Sequence, residues 1–506
     1  MQRARRVLTS LRELARAAPR RGDALALASL ALAVRLVVVA WGGSRFPPID
    51  DGRFYQIVAD RIAHGLGYTW AWPDGAVTYA AHYPVGYPGL LGAFYALFGS
   101  RPVVGMLVNA LLGALSVYAV QRLLAVNGSR LAALLGALLL ALHPALVLYT
   151  PALMTEGVAA AAITISAWLC LRASTRGVGA LLVAGLALGA CTLIRPQLVL
   201  AVPFLGLLAT PAAGGAKRRI GRAALVSVLA VTTCLPWTLR NCSRLEACVF
   251  VSANGGWNLL IGSAPEGEGH FIPLDTIGVP SECREVFGEA DKDRCFGRAA
   301  KRRIAEQPLV WLSLAPLKLM RTFEYAGAAG YYLHASNPAA FDYRAKLSLA
   351  TIETVYQRVV LVLGVIGAAR LLDRRYRRAG RFFLALGAAC ALLPVSFVTY
   401  LTLVLAALLL GKRAFDVPAL VAGAAVIGTT ALTHAIFFGE GRYGLVVFPL
   451  AAAAAGLFAL PLRAGSRAEP ASAAERDGRE AGRAFDRNQP AGDTSAVGDP
   501  DAAHRN

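Results

Sequence analysis

"ALALASLALAVRLVVVAW", residues 24–41, is an apolar run broken by one charge, Arg35. A helix crosses the hydrocarbon of a bilayer with roughly 20 apolar residues, so this run reads as a membrane span. Arg3, Arg5, Arg6, Arg12, Arg16, Arg20 and Arg21 precede it and hold the amino terminus, residues 1–23, on the cytoplasmic side. The run reads as an uncleaved anchor: a signal peptide usually has a shorter apolar stretch and a small-residue cleavage site, and "VVVAWGGSRF" offers a poor one.

The rest of the chain repeats the pattern. Of its 506 residues 56% are hydrophobic and 16% charged, and the mean hydropathy is +0.52, the composition of an integral membrane protein. The net charge of +20 does not point to nucleic acid, because the basic residues lie in short clusters between apolar runs rather than on one patch interleaved with aromatics.

Further runs fall near 102–124, 130–148, 152–171, 178–194, 197–210, 223–239, 353–372, 382–395, 396–410, 415–438 and 443–462. The expected fold is therefore an all-α polytopic membrane protein of about 12 spans. Alternation from a cytoplasmic start puts Arg172 with Arg176, Lys217 to Arg222, Arg374 to Arg381, and Lys412 with Arg413 on inside loops, as basic clusters prefer. It also puts the two long inter-span segments, 42–101 and 240–352, on the outer face. Residues 24–462 form the membrane-embedded domain. The polar tail 463–506 is expected to be disordered and cytoplasmic.

Cys242, Cys248, Cys283 and Cys295 all fall in the second outer segment, so two disulfides are expected there, with 242–248 and 283–295 the simplest of the three pairings. No zinc-like spacing of Cys and His occurs.

The chemistry is sought in the outer segments. In "FPPIDDGRFYQ", residues 46–56, Asp50 and Asp51 open a helix whose apolar stripe is Phe54, Ile57, Val58 and Ile62. An Asp is a favoured helix cap, which accounts for one acid and not for two. "YPVGYPGLLGAFYALFG", 83–99, is too short to span comfortably and lies at the interface; its Tyr83 and Tyr87 join the candidate substrate-binding residues. In "YTPALMTEG", Thr150 reads as a cap and Pro151 as a first-turn proline, which puts Glu156 in the second turn of the fourth span. An ionisable group at that depth needs a wet cavity or a partner. Arg195, Arg240, Lys318, Arg321 and Arg442 stand at outer ends of other elements. Each alone reads as a side chain snorkelling to the interface. Together, beside three carboxylates, they suggest an anionic ligand such as a phosphate.

These motifs resemble the glycosyltransferase C superfamily, in the branch of protein O-mannosyltransferases and bacterial aminoarabinose (lipid A) transferases. The resemblance is carried by "DDGRFYQIVADRIAHGLGY", "HYPVGYPGLLGAFYALFG", "PALMTE", "RPQLVLAVP", "PWTLRNCSRL", "NGGWNLLIGSAPEGEG", "PLKLMRTFEY" and "EGRYGLVVFPL", in that order. It implies an inverting transferase that moves a hexosyl or pentosyl group from a polyprenyl-phosphate lipid to an envelope acceptor on the outer face of a bacterial-type cytoplasmic membrane. By position, Asp50 is then the general base and Asp51 orients substrate; many relatives carry Asp-Glu where this chain has Asp-Asp. Glu156 matches a second acidic position, and Arg442 with Tyr443 the basic motif of the last span. No cofactor is required, and a divalent cation is compatible with the site.

The rival reading is a polytopic transporter or flippase for an anionic or lipid-linked solute. It would favour repeat symmetry and charges near the membrane middle, of which Arg35 is the clearest. A non-catalytic scaffold of the envelope would have no need of Asp50 or Glu156.

Overall fold

The computed structural model describes residues 2–324, 326–372 and 377–461. The chain up to Pro461 forms one compact unit. The expected tail and the basic residues Arg374 and Arg375 lie outside the described residues.

Helix α1 (Gln2–Arg16) leads into α2 (Arg21–Gly42), which carries the first apolar run. Asp23 in the first turn of α2 takes two 2.7 Å hydrogen bonds from Arg130. Arg35 is buried in the membrane part and has no acidic partner among the described residues. Its Nη1 donates to the carbonyls of Ala31 at 3.2 Å and Ala141 at 3.4 Å. Ala141 ends the next-but-one span, and the free carbonyls of a helix end suit a cation. Gly113 leaves the room: a Cβ there would collide with the guanidinium.

The first inter-span segment follows. It comprises α3 (Asp50–Ala63), a hairpin of β1 (Thr69–Ala71) and β2 (Val77–Tyr79), and α4 (Gly86–Phe98). Trp70 pairs with Thr78 at the centre of the hairpin. Helix α4 closes on α3 because Gly92 has no side chain; a Cβ would lie 2.8 Å from Ile62.

Spans resume with α5 (Pro102–Ala125), α6 (Arg130–Ala141) with the short α7 (Pro144–Leu148), α8 (Thr155–Ala173), α9 (Val178–Ile194), the broken segment around α10 (Val202–Gly206) and α11 (Ala216–Arg244). The second inter-span segment holds α12 (Gly255–Gly262), α13 (Leu274–Ile277), α14 (Glu289–Glu306), α15 (Pro308–Phe323) and α16 (Ala328–Ser336). The chain ends in α17 (Tyr343–Leu371), α18 (Arg377–Leu392), α19 (Phe397–Leu410), α20 (Pro418–Ile436) and α21 (Phe448–Gly456). Eight helices are long and apolar enough to cross a membrane, and four shorter apolar ones accompany them. Each lies on one of the apolar runs, so the all-helical membrane architecture holds, with about 12 spans.

The last helix is the most enclosed. Its sequence, FPLAAAAAG, is buried throughout. Small side chains let backbones approach: a Cβ on Gly456 would stand 2.7 Å from the carbonyl of Ala132, on α6.

One boundary differs from expectation. Helix α8 starts at Thr155, after Met154, rather than at Thr150. The Thr150 hydroxyl turns back to the Val147 carbonyl at 2.6 Å. The carbonyls of Thr150 and Ala152 accept from Asn109 at 3.1 and 2.9 Å. Residues 150–154 are thus a pinned turn, and Glu156 sits in the first turn of α8 instead of the second.

Cys242 is bonded to Cys248 and Cys283 to Cys295. The second bridge lies in a small core with Leu260, Phe296 and Ala300.

Candidate active site

A cavity of about 1380 Å³ opens where α3, α8, α12, α15 and α16 meet the connections ending at Arg195 and Arg442. Asp50 and Asp51, the first two residues of α3, stand on its wall. Neither caps the helix with a side-chain hydrogen bond. Asp50 has a backbone φ of 47°, in the left-handed region, which is uncommon for any residue but glycine and least costly for Asn and Asp. Its side chain makes no hydrogen bond or ion pair among the described residues.

Asp51, in contrast, is held on both oxygens. The Tyr83 hydroxyl donates to Oδ1 at 2.7 Å, and Arg442 Nη1 donates to Oδ2 at 2.9 Å. Burial, reinforced by the neighbouring Asp51 carboxylate, pushes the Tyr83 hydroxyl well above its ordinary pKa, so it stays protonated as a donor.

Glu156 is only 2% exposed. Its Oε1 accepts from Arg195 Nη1 at 2.8 Å and its Oε2 from the Tyr149 hydroxyl at 3.2 Å. Arg442 Nε stands 3.8 Å from Oε1. The same Nε lies 3.1 Å from Glu440 Oε2, yet at an angle that makes no hydrogen bond, so it remains a buried donor without an acceptor. Burial raises the pKa of Glu440, and the Arg442 charge opposes that rise. Tyr443 lies beneath the cations, with the guanidiniums of Arg195 and Arg442 at 5.0 and 5.3 Å from its ring and His434 stacked at 4.6 Å. Three acids, Asp51, Glu156 and Glu440, and two arginines, Arg195 and Arg442, thus form one connected network from four separate stretches of the chain.

Not every expected residue faces the cavity. Asp50, Asp51, Tyr83, Glu156, Arg195, Arg321, Arg442 and Tyr443 line it. Tyr87 is buried behind the wall, and its hydroxyl donates to Asn109 at 3.1 Å. Arg240 spends its guanidinium on the carbonyls of Tyr68 at 2.7 Å and Ala80 at 2.9 Å. Lys318 is fully buried and donates to the carbonyls of Ile436 at 3.1 Å and Ala435 at 3.4 Å. Arg240 and Lys318 thus fix backbone around the cavity, and Tyr87 holds the Asn109 side chain. Among the described residues Arg321 reaches only the exposed Glu268, at 3.4 Å.

Further residues line the cavity that were not among the expected ones. Glu440 stands two positions before Arg442, at the start of "EGRYGLVVFPL". His82 packs against Trp257 with ring centres 5.2 Å apart, and burial lowers its pKa, leaving it neutral at pH 7. Behind it, Glu289 accepts from the backbone N–H groups of Ala81 at 2.6 Å and His82 at 3.0 Å. This ties the disulfide-bonded core to the cavity wall. Among the described residues no group of three His, Cys, Asp or Glu side chains is placed to hold a metal ion.

Residues 82–239 match a family model described as dolichyl-phosphate-mannose-protein mannosyltransferase. The match covers less than a third of the chain. The matched stretch carries Tyr83, Glu156 and Arg195; the acid pair and Arg442 lie outside it. Among solved structures, the archaeal oligosaccharyltransferase AglB from Archaeoglobus fulgidus, in complex with an inhibitory peptide and a dolichol-phosphate, is 15% identical, with a TM-score of 0.43 over 94% of this chain and 52% of its own. The chain therefore spans about half the length of that protein. ArnT from Cupriavidus metallidurans, bound to undecaprenyl phosphate, is 16% identical, with a TM-score of 0.37 over 87% of this chain and 78% of its own. No curated protein matches the chain.

Proposed function

We propose that the protein is an inverting membrane glycosyltransferase that moves a hexosyl or pentosyl group from a polyprenyl-phosphate lipid to a hydroxyl of an envelope acceptor, on the outer face of the membrane. The observation that carries the reading is the division of labour in the acid pair. Asp51 is locked by Tyr83 and Arg442, whereas Asp50 next to it, on the cavity wall, has no partner among the described residues. A general base must be free to take a proton; a positioning acid must not move.

In this mechanism the acceptor oxygen attacks the anomeric carbon and gives its proton to Asp50. The bond from that carbon to the phosphate oxygen breaks on the opposite face, and polyprenyl phosphate leaves with the electron pair. The charge that grows on the phosphate needs donors already in place. The unfilled Nε of Arg442 supports such a role, as does Arg321, whose one partner among the described residues is weak and exposed. The outer-face orientation rests on the basic clusters, such as Lys217, Arg218 and Arg222 at the start of α11, which fall on the side away from the cavity in the alternation of spans.

The test is release of free polyprenyl phosphate by purified protein given a panel of polyprenyl-phosphate sugars and envelope acceptors. Wild type is expected to release it with one donor, and Asp50→Asn to lose about 10²–10⁴-fold in rate, the usual contribution of a positioned base. Full activity in Asp50→Asn sinks the base assignment. No release with any donor favours the transporter.

A further inference from the structure

Helix α15 lines the cavity at its carboxyl end through Met320 and Arg321, while its amino end faces open surface. The Trp311 indole donates to the Ile436 carbonyl at 3.3 Å, and Lys318 donates to the same carbonyl and to that of Ala435. Those carbonyls end α20, an apolar helix of 19 residues. At 1.5 Å per residue it is about 28 Å long, close to the hydrocarbon thickness of a bilayer. Helix α15 is therefore fixed at the level where α20 leaves the hydrocarbon. Its outward face shows Leu309, 79% exposed, Val310 and Leu312, 55% exposed.

Helix α14 joins α15 through the turn at Gln307. Arg294, Arg298, Lys301 and Arg302 follow helical spacing along its exposed side, opposite the buried Cys295, Phe296, Ala299 and Ala300. Arg294 pairs with Asp291 and Arg302 with Glu282. Arg298 and Lys301 have no ion-pair partner among the described residues. Arg303 adds a buried Nη1 without an acceptor. Two cations without ion-pair partners among the described residues, Arg298 and Lys301, on the helix that leads into an exposed apolar one at the level of a span end, match a surface that is apolar below and anionic above.

We propose that the α14–α15 corner is a docking site for phosphate-bearing anionic lipids of the bilayer, with Leu309 and Leu312 among the acyl chains and Arg298 and Lys301 over the headgroups. The inference rests on the spans and not on the transferase reading. It gives the mouth of the cavity a preferred lipid neighbourhood.

The experiment places a photocrosslinking residue at one point, Leu309→p-benzoylphenylalanine, in full-length protein reconstituted in phosphatidylcholine with a minor fraction of phosphatidylglycerol. Mass spectrometry of the adducts reads which lipid sits there. Phosphatidylglycerol is expected to exceed its share of the bilayer by about fivefold for each unpaired cation. Arg298→Gln with Lys301→Gln is expected to return the ratio to bilayer composition. Both positions are exposed, so the fold is spared. Adducts in bulk proportion in the parent protein, adducts to protein alone, or a ratio that the double substitution leaves unchanged would each overturn the proposal.

Discussion

Glu156→Gln is expected to destabilise the protein by about 3–5 kcal/mol, and Arg195→Gln by distinctly less. Glu156 is the buried centre of the network, with Arg195 Nη1 at 2.8 Å and Arg442 Nε at 3.8 Å from one oxygen. At an effective dielectric of about 20 these attractions are of order 6 and 4 kcal/mol, most of it offset by desolvation. Removing the carboxylate leaves two guanidiniums facing each other with no anion between them except the outlying Asp51 and Glu440. Removing Arg195 leaves Glu156 with Arg442 and the Tyr149 hydroxyl, so roughly 1–3 kcal/mol is expected, the cost of one lost charged hydrogen bond. Equilibrium unfolding in detergent, followed by tryptophan fluorescence, measures both. The double variant closes a cycle, and its loss should be smaller than the sum of the single losses. A Glu156→Gln protein as stable as wild type, or an Arg195→Gln protein at least as damaged as Glu156→Gln, would refute the network as described.

Backbone strain at Asp50 gives a separate expectation. At φ 47° Asn and Gly are tolerated, whereas Asp50→Val should lose about 1–2 kcal/mol more than Asp50→Asn in thermal unfolding; equal losses would mean that the left-handed turn relaxes. Lys318 gives a pH dependence. Burial lowers its pKa from 10.5 to about 8. Between those values the unfolded chain binds a proton that the folded chain does not, so stability should rise with pH from about 8 to 10.5. Lys318→Met should remove that rise, and unfolding midpoints across the window that stay parallel for the two proteins would show the lysine to be freely solvated.

The membrane part was legible because hydropathy is a local property: a run such as 102–124 needs no partner to declare itself, and α5 covers it. Boundaries that depend on a neighbour were not. Thr150 and Pro151 carry the chemistry of a helix start, but Asn109, from another span, takes the carbonyls and holds the turn open. The cations show the same division. Arg195, Arg240, Lys318 and Arg442 give one signal in sequence, a base at the end of an apolar element. Which of them meets a carboxylate and which a carbonyl is decided by contacts such as Arg240 to Tyr68, 172 residues away. Glu289 was invisible for that reason too, since nothing near it in sequence mentions the backbone of Ala81 and His82 that it holds.

The bond between Asp51 and Arg442 joins residues 391 positions apart. Arg442 arrives with the last span, after every other wall of the cavity has been synthesised. A ribosome that has threaded all the earlier helices into the membrane has therefore made a protein with its acid pair unclamped and Tyr443 still missing beneath Arg195. Until the helix that follows Arg442 is in place, Asp51 lacks its guanidinium partner, so the clamped acid is among the latest features of this cavity to form.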